Sequence, residues 1–241
     1  MDYKLGKLPP RHDPRTLQLA DYLLPVLPPA PPSRRWDHGI TAWGMMGNDR
    51  IGDCTTAAAG HAIQTWTANA SNEVTISDAA VIAAYSAVTG YNPADPTTDR
   101  GAVVLDVLNY WRSPFGGHSI GAFVATEPSN HEHVKLAVSL FGGCYIGFEV
   151  PDYALHQRVW SVQRGTHPII GGHAVWVCGY DSRFLYCVSW GQIYRMTWAF
   201  WDKFCDESYA ILSPDWFKPN AVSPSGFDLV TLTADLQAVT H

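Results

Sequence analysis

The sequence predicts an α+β protein built from two segregated lobes, on three observations. Segments with helical texture come first along the chain and strand-like runs come later. Each late apolar run is bounded by Gly, Pro, Asp or Ser, as strands in a sheet are. The chain has 241 residues, 46% of them hydrophobic, enough for one large domain or two lobes sharing a cleft.

Residues 1–40 read as a strap. Pro25, Pro28, Pro29, Pro31 and Pro32 favour extended backbone and withhold amide donors, so this segment should lie over the domain it precedes. From Asp53 the texture changes: CTTAAAGHAIQTWTANA reads as a helix, with Asp53 as N-cap and its alanines allowing close packing. Ser77 and Asp78 open a second helix over 77–88, the turn-rich loop YNPADPTTDRG follows, and AVVLDVLNYWR reads as a third helix. Ser129 and Glu132 form a capping box before the helix HEHVKLAVSLF.

Strand-like runs then dominate: CYIGFEV, HAVWVCGY, FLYCVSW and SYAIL. The second and third make one antiparallel hairpin turning at 181–183. YRMTWAFWDKF reads as a helix. The resulting division is a strap over 1–40, a helical lobe over 41–125, a β lobe over 126–220 and a tail over 221–241.

Composition narrows the function. A formal charge of −6 and the lack of any Lys/Arg run exclude a nucleic-acid partner, and no segment approaches the roughly 20 apolar residues of a membrane span. The start has charges and prolines where a secretory signal would have an apolar block. Five cysteines, at 54, 144, 178, 187 and 205, have no framework spacing and read as reduced thiols, in the cytoplasm or a virion. Cys178 and Cys187 flank the hairpin turn and could instead pair. No cofactor or metal is expected, because no Cys or His cluster has zinc-ligand spacing. His131 and His133 lie two apart on a helix, about 200° around its axis, and read as solvated.

GNDRIGDCTT, residues 47–56, carries the candidate chemistry. A cysteine in the first turn of a helix feels the positive end of the helix dipole, which favours thiolate. Gly52 would let a substrate carbonyl approach, and the Cys54 N–H, unsatisfied at a helix start, could donate to an oxyanion. A buried structural cysteine is the competing reading. The base candidate is His173, after two glycines in IIGGHAVWVCGYD. His61 lies about 10.5 Å further along the helix from Cys54, too far for a hydrogen bond, and reads as a satisfied core group.

At these residues the chain resembles the papain-like cysteine peptidases, as a divergent bacterial or phage-type member. Asn48 to Cys54 has the frame of the family's Gln-Gly-x-x-Gly-Ser-Cys, His173 to Tyr180 matches His-Ala-Val-x-x-x-Gly-Tyr, and Val188-Ser189-Trp190-Gly191 partly matches Asn-Ser-Trp-Gly. LGKLPPRHDPR looks like the strap before the mature region in bacterial members. The resemblance implies a papain-like fold: a helical lobe and an antiparallel β lobe with the active-site cleft between them. It implies Cys54 as nucleophile, His173 as base, Asn48 as oxyanion donor, and Gly52, Gly101 and Trp190 at the substrate. The implied partner is a peptide or protein substrate, cleaved through a thioester acyl-enzyme.

Two departures bear on activity. Asn48 replaces the family's oxyanion glutamine and is one methylene shorter. Val188 replaces the asparagine that orients the histidine, and Ser189 and Gln192 lie off the matching position, so no third triad member is assigned. The alternatives are a papain fold used for binding or structure, and an amidase or acyltransferase using the same Cys–His chemistry. The sequence leaves the oligomeric state open.

Overall fold

The computed structural model describes residues 3–21 and 29–226. Pro25, Pro28 and the tail beyond position 226 lie outside the described residues. In chain order the regular elements are β1 (Arg34–Arg35), α1 (Cys54–Ala70), α2 (Asp78–Thr89), α3 (Val104–Trp111), β2 (Ala122–Ala125), α4 (His131–Phe141), β3 (Cys144–Pro151), β4 (Val159–Trp160), β5 (Ile169–Tyr180), β6 (Phe184–Ser189), β7 (Gln192–Thr197), α5 (Trp198–Phe204) and β8 (Cys205–Leu212). This is the α+β class predicted: among the described residues α1 to α3 precede seven of the eight strands of the sheet, and β1 alone comes before them.

The sheet order is β2-β8-β3-β5-β6-β7-β4, with β1 added on β5. Neighbours are antiparallel except β4 and β7. The predicted hairpin is β5–β6, and the Asp181 carboxylate holds its turn by accepting from the N–H groups of Arg183 and Phe184.

α1 is buried on nearly every face, as its alanine-rich sequence requires of a helix enclosed by other elements. It packs on β5. Two long-range bonds fix it: the Tyr145 hydroxyl donates to the Thr55 carbonyl at 2.6 Å, and the Trp66 indole donates to the Phe141 carbonyl at 2.8 Å. Trp66 also stacks on Trp111 and meets Trp176 edge-on, so one aromatic cluster ties α1, α3 and β5 together.

Four local expectations need correction. Asp53 stands at the N-cap of α1, but its carboxylate makes no capping bond; the backbone carbonyl alone starts the helix, accepting from Ala57. Asn130, not Ser129, caps α4, accepting from the Glu132 N–H, while Glu132 turns to the strap and accepts from the Ala30 N–H. YRMTWAFWDKF is half strand: β7 runs to Thr197, whose hydroxyl caps the shorter α5. His133 is buried rather than solvated, whereas His131 pairs with Asp202 near the surface. All five cysteines are free, including Cys178 and Cys187.

Candidate active site

Three segments converge on Cys54. The first residue of α1 is Cys54 itself, 1% exposed. β5 brings His173, fully buried, and the backbone N–H of the next residue, Ala174, points to the Cys54 thiol. The third segment is the strap, whose Gly6 N–H approaches the same sulfur.

His173 is held on one side only. Its Nε2 shares a 2.7 Å hydrogen bond with the Ser189 hydroxyl, while its Nδ1 is buried and has no hydrogen-bond partner. Trp190 stacks on the imidazole at 4.3 Å and 12°. Trp190 sits at φ 46°, a strained left-handed conformation, and with Gly191 makes the tight turn from β6 to β7. Val188 is fully buried opposite Trp176 and Ile193. Side chains alternate across a strand, so the next residue, Ser189, is the one that reaches the histidine. Sequence reasoning missed this contact; its only signal was a hydroxyl one place beyond the expected asparagine.

Asn48 is 2% exposed and its Nδ2 has no hydrogen-bond partner. Burial pushes the adjacent Asp53 carboxyl up to about 8, and Asn48 acts against that push, although no aligned hydrogen bond joins the two. Gly52 donates its N–H to both carboxylate oxygens of Asp99, at 3.1 and 3.0 Å. Gly101 donates to the Tyr85 hydroxyl at 2.8 Å.

The strap fills the cleft between these residues. Ala102 donates to the Gly6 carbonyl at 2.8 Å and accepts from the Leu8 N–H at 2.9 Å, and Lys7 donates to the Gly172 carbonyl at 3.1 Å. Ala102, the neighbour of Gly101, thus makes the backbone pairing with the strap. Gly101 instead supplies clearance, because a Cβ there would stand 2.2 Å from the Gly6 carbonyl oxygen. Gly6 is tighter still: its own Cβ would lie 1.8 Å from the Gly52 carbonyl oxygen. Tyr3 stacks on Trp190 at 4.3 Å, and Lys4 pairs with Asp99 at 2.7 Å.

Closure reverses the predicted electrostatics. The helix dipole should lower the Cys54 pKa, yet burial pushes the thiol up to about 12. Burial, with a smaller contribution from His61, pushes His173 down to about 3. Beneath the strap the pair is a neutral thiol and a neutral imidazole.

His61 is a satisfied core group, its Nε2 bonded to the Gly44 carbonyl at 2.8 Å, and burial lowers it to about 4. A pH dependence of stability follows. Between pH 6.5 and 5.5 the unfolded chain protonates both histidines, whose ordinary value is 6.5, and the folded chain protonates neither. In the same window folding retains one extra proton on Asp53. At pH 6.5 the two half-protonated histidines of the unfolded chain balance the proton on Asp53, and by pH 5.5 the unfolded state is ahead by somewhat less than one proton. Stability should therefore fall on acidification below pH 6.5, with a slope approaching about 1.4 kcal/mol per pH unit. Urea unfolding midpoints at pH 6.5, 6.0 and 5.5 check this; a midpoint that rises over that range contradicts it.

No group of His, Cys, Asp and Glu among the described residues is arranged to hold a metal ion. No helix among them is long and apolar enough to cross a membrane.

No protein-family model matches the chain, and no curated protein matches it. Solved structures do. Xylellain, a cysteine protease from Xylella fastidiosa, is similar with a TM-score of 0.66 at 16% identity, over 87% of this chain and 96% of that one. ProCathepsin B from Trypanosoma congolense is similar with a TM-score of 0.55 at 9% identity, over 87% of this chain and 86% of that one. The Carica candamarcensis cysteine protease CMS1MS2 is similar with a TM-score of 0.52 at 14% identity, over 76% and 98%. The chain has the papain-like cysteine protease fold.

Proposed function

We propose that the protein is a cysteine peptidase held closed by its own N-terminal strap. One observation carries this reading: His173 is fixed by Ser189 through Nε2 and keeps a buried, unpartnered Nδ1, on the strand whose next residue, Ala174, approaches Cys54 with its backbone. That is the arrangement of a base waiting for a proton.

With the strap displaced by a peptide, His173 Nδ1 takes the Cys54 proton and the sulfur forms a bond to the scissile carbonyl carbon. The carbonyl electron pair moves to oxygen, where the Cys54 N–H and the Asn48 amide donate to it. Asn48 suits this role because its buried Nδ2 is unpartnered. The amide C–N bond breaks as His173 returns the proton to the leaving amine, giving a thioester. Water, deprotonated by His173, then breaks the C–S bond and releases the carboxylate and the thiol. Ser189 is a positioning residue that keeps the imidazole in the tautomer with Nδ1 free to accept. Five free thiols suit a reducing compartment, such as the cytoplasm or a virion formed there.

The test is to incubate the protein with a mixed peptide library at pH 7 and read new termini by mass spectrometry. Cleavage that is lost in Cys54→Ala is expected. Cleavage unchanged in that variant, or none even when the strap is displaced by substitution, sinks the reading in favour of a binding or structural module.

A further inference from the structure

The strap does more than cover the cleft: one of its side chains is seated in a built pocket. Lys7 is 5% exposed overall and its side chain only 1%. Its Nζ lies 2.6 Å from Asp206 Oδ2 and 3.3 Å from Glu207 Oε1, both at the start of β8. Such burial of a lysine requires paired acids, because an unpaired ammonium would be strongly disfavoured there.

The pocket has features that a chance surface ion pair lacks. Glu207 is 5% exposed, and its Oε1 faces the lysine without an aligned hydrogen bond, while its Oε2 is fixed by the Tyr209 hydroxyl at 3.2 Å. Asp206 Oδ1 is likewise buried with no hydrogen-bond partner. Gly147 of β3 forms one wall; a Cβ there would stand 2.2 Å from Lys7 Cε, so only glycine leaves room for a long aliphatic stem. Asp206 also borders a hollow of about 550 Å³ lined by Glu127, Asp202 and Cys205, which extends the acidic character outward. The pocket opens onto the cleft next to the reacting sulfur, since Gly6, the residue before Lys7, approaches Cys54.

We infer that this pocket, walled by Gly147 and closed by Asp206 and Glu207, is the specificity pocket of the cleft and selects lysine or arginine side chains of peptide substrates, with Lys7 of the strap as its resident occupant. The inference rests on the peptidase reading for the word substrate, but the selectivity of the pocket is a binding property in its own right. Two carboxylates at its end recognise an ammonium or guanidinium by charge-assisted hydrogen bonds and leave an apolar side chain with two desolvated acids. The same acids reject Asp and Glu by like-charge repulsion.

The experiment uses the full chain carrying Gly6→Ala and Lys7→Gln, which frees the pocket, with Cys54→Ala added for binding. Fluorescent hexapeptides differing only in one central residue, lysine, arginine, norleucine or glutamate, are titrated against it. Basic peptides should bind at least tenfold more tightly than the norleucine peptide, and the preference should fall below threefold in Glu207→Gln and in Asp206→Asn. The version retaining Cys54 is given a mixed peptide library, where cleaved bonds should carry a basic residue at one fixed neighbouring position. Cleavage without basic preference, or a preference that survives both acid substitutions, overturns the pocket and leaves the peptidase. Basic-selective binding without any cleavage upholds the pocket and overturns the peptidase. Equal binding of all four peptides overturns the pocket whatever the cleavage result.

Discussion

Gly6→Ala is expected to raise the rate at which the protein cleaves peptides, and the rate at which iodoacetamide alkylates Cys54, by about 100-fold at pH 7. The reason is steric first. A methyl at position 6 would lie 1.8 Å from the Gly52 carbonyl oxygen and 2.3 Å from its carbon, and these are backbone atoms that cannot swing aside. The Gly52 loop is pinned by two hydrogen bonds to Asp99, so the strap is the element that yields. Lifting it removes the Ala102 and Gly172 ladder bonds together and readmits water to the pair beneath. Desolvation is the largest cause of the shifts of Cys54 to about 12 and of His173 to about 3, so hydration moves both back towards ordinary values. Each unit recovered by the thiol is about tenfold in thiolate, and two recovered units give the stated factor. Peptide mapping of the alkylated protein checks it, with buried Cys144 and Cys187 as internal controls that should stay slow. Unchanged Cys54 labelling in a folded Gly6→Ala protein would show that the strap does not gate the thiol.

Much of this site was legible in the sequence, because it sits where local signals are strong. Cys54 falls at a helix start announced by Gly52 and Asp53, and His173 lies in a strand whose pattern is equally plain. The hairpin that carries Ser189 and Trp190 back to His173 followed from turn residues at 181–183. What stayed hidden depends on contacts between residues distant in sequence. Lys7 reads as one of several charges in a proline-rich start, and nothing local shows that it is buried against Asp206 and Glu207 some 199 residues away. The dipole argument for Cys54 was sound for an exposed helix end; it lost to desolvation, a larger effect set by where the strap lies. Ser189 was obscured by register, since alignment of a motif fixes positions but alternation across a strand decides which side chain faces the histidine.

That register difference makes Ser189 the most informative single residue for the chemistry. In the open enzyme the Ser189 oxygen accepts from Nε2–H of His173, and this acceptor matters most when the ring is an imidazolium. Ser189→Ala leaves a buried donor unpartnered at a cost of about 1–3 kcal/mol, which corresponds to a fall in kcat of roughly 5- to 150-fold. KM should change far less, because Ser189 is only 3% exposed and its hydroxyl is bonded to the ring rather than to substrate. The pH–rate profile separates positioning from mere packing. Losing the acceptor destabilises the imidazolium, so the acid limb, set by protonation of the base, should move to lower pH by about one unit for each 1.4 kcal/mol lost. Ser189→Thr keeps the hydroxyl and should restore both kcat and the limb, even if the added methyl costs some stability. These measurements belong in the Gly6→Ala background, where the cleft is open. If Ser189→Ala keeps kcat and both limbs of the profile, the hydroxyl is only filling space and His173 is oriented by its aromatic neighbours Trp190, Phe148 and Trp160.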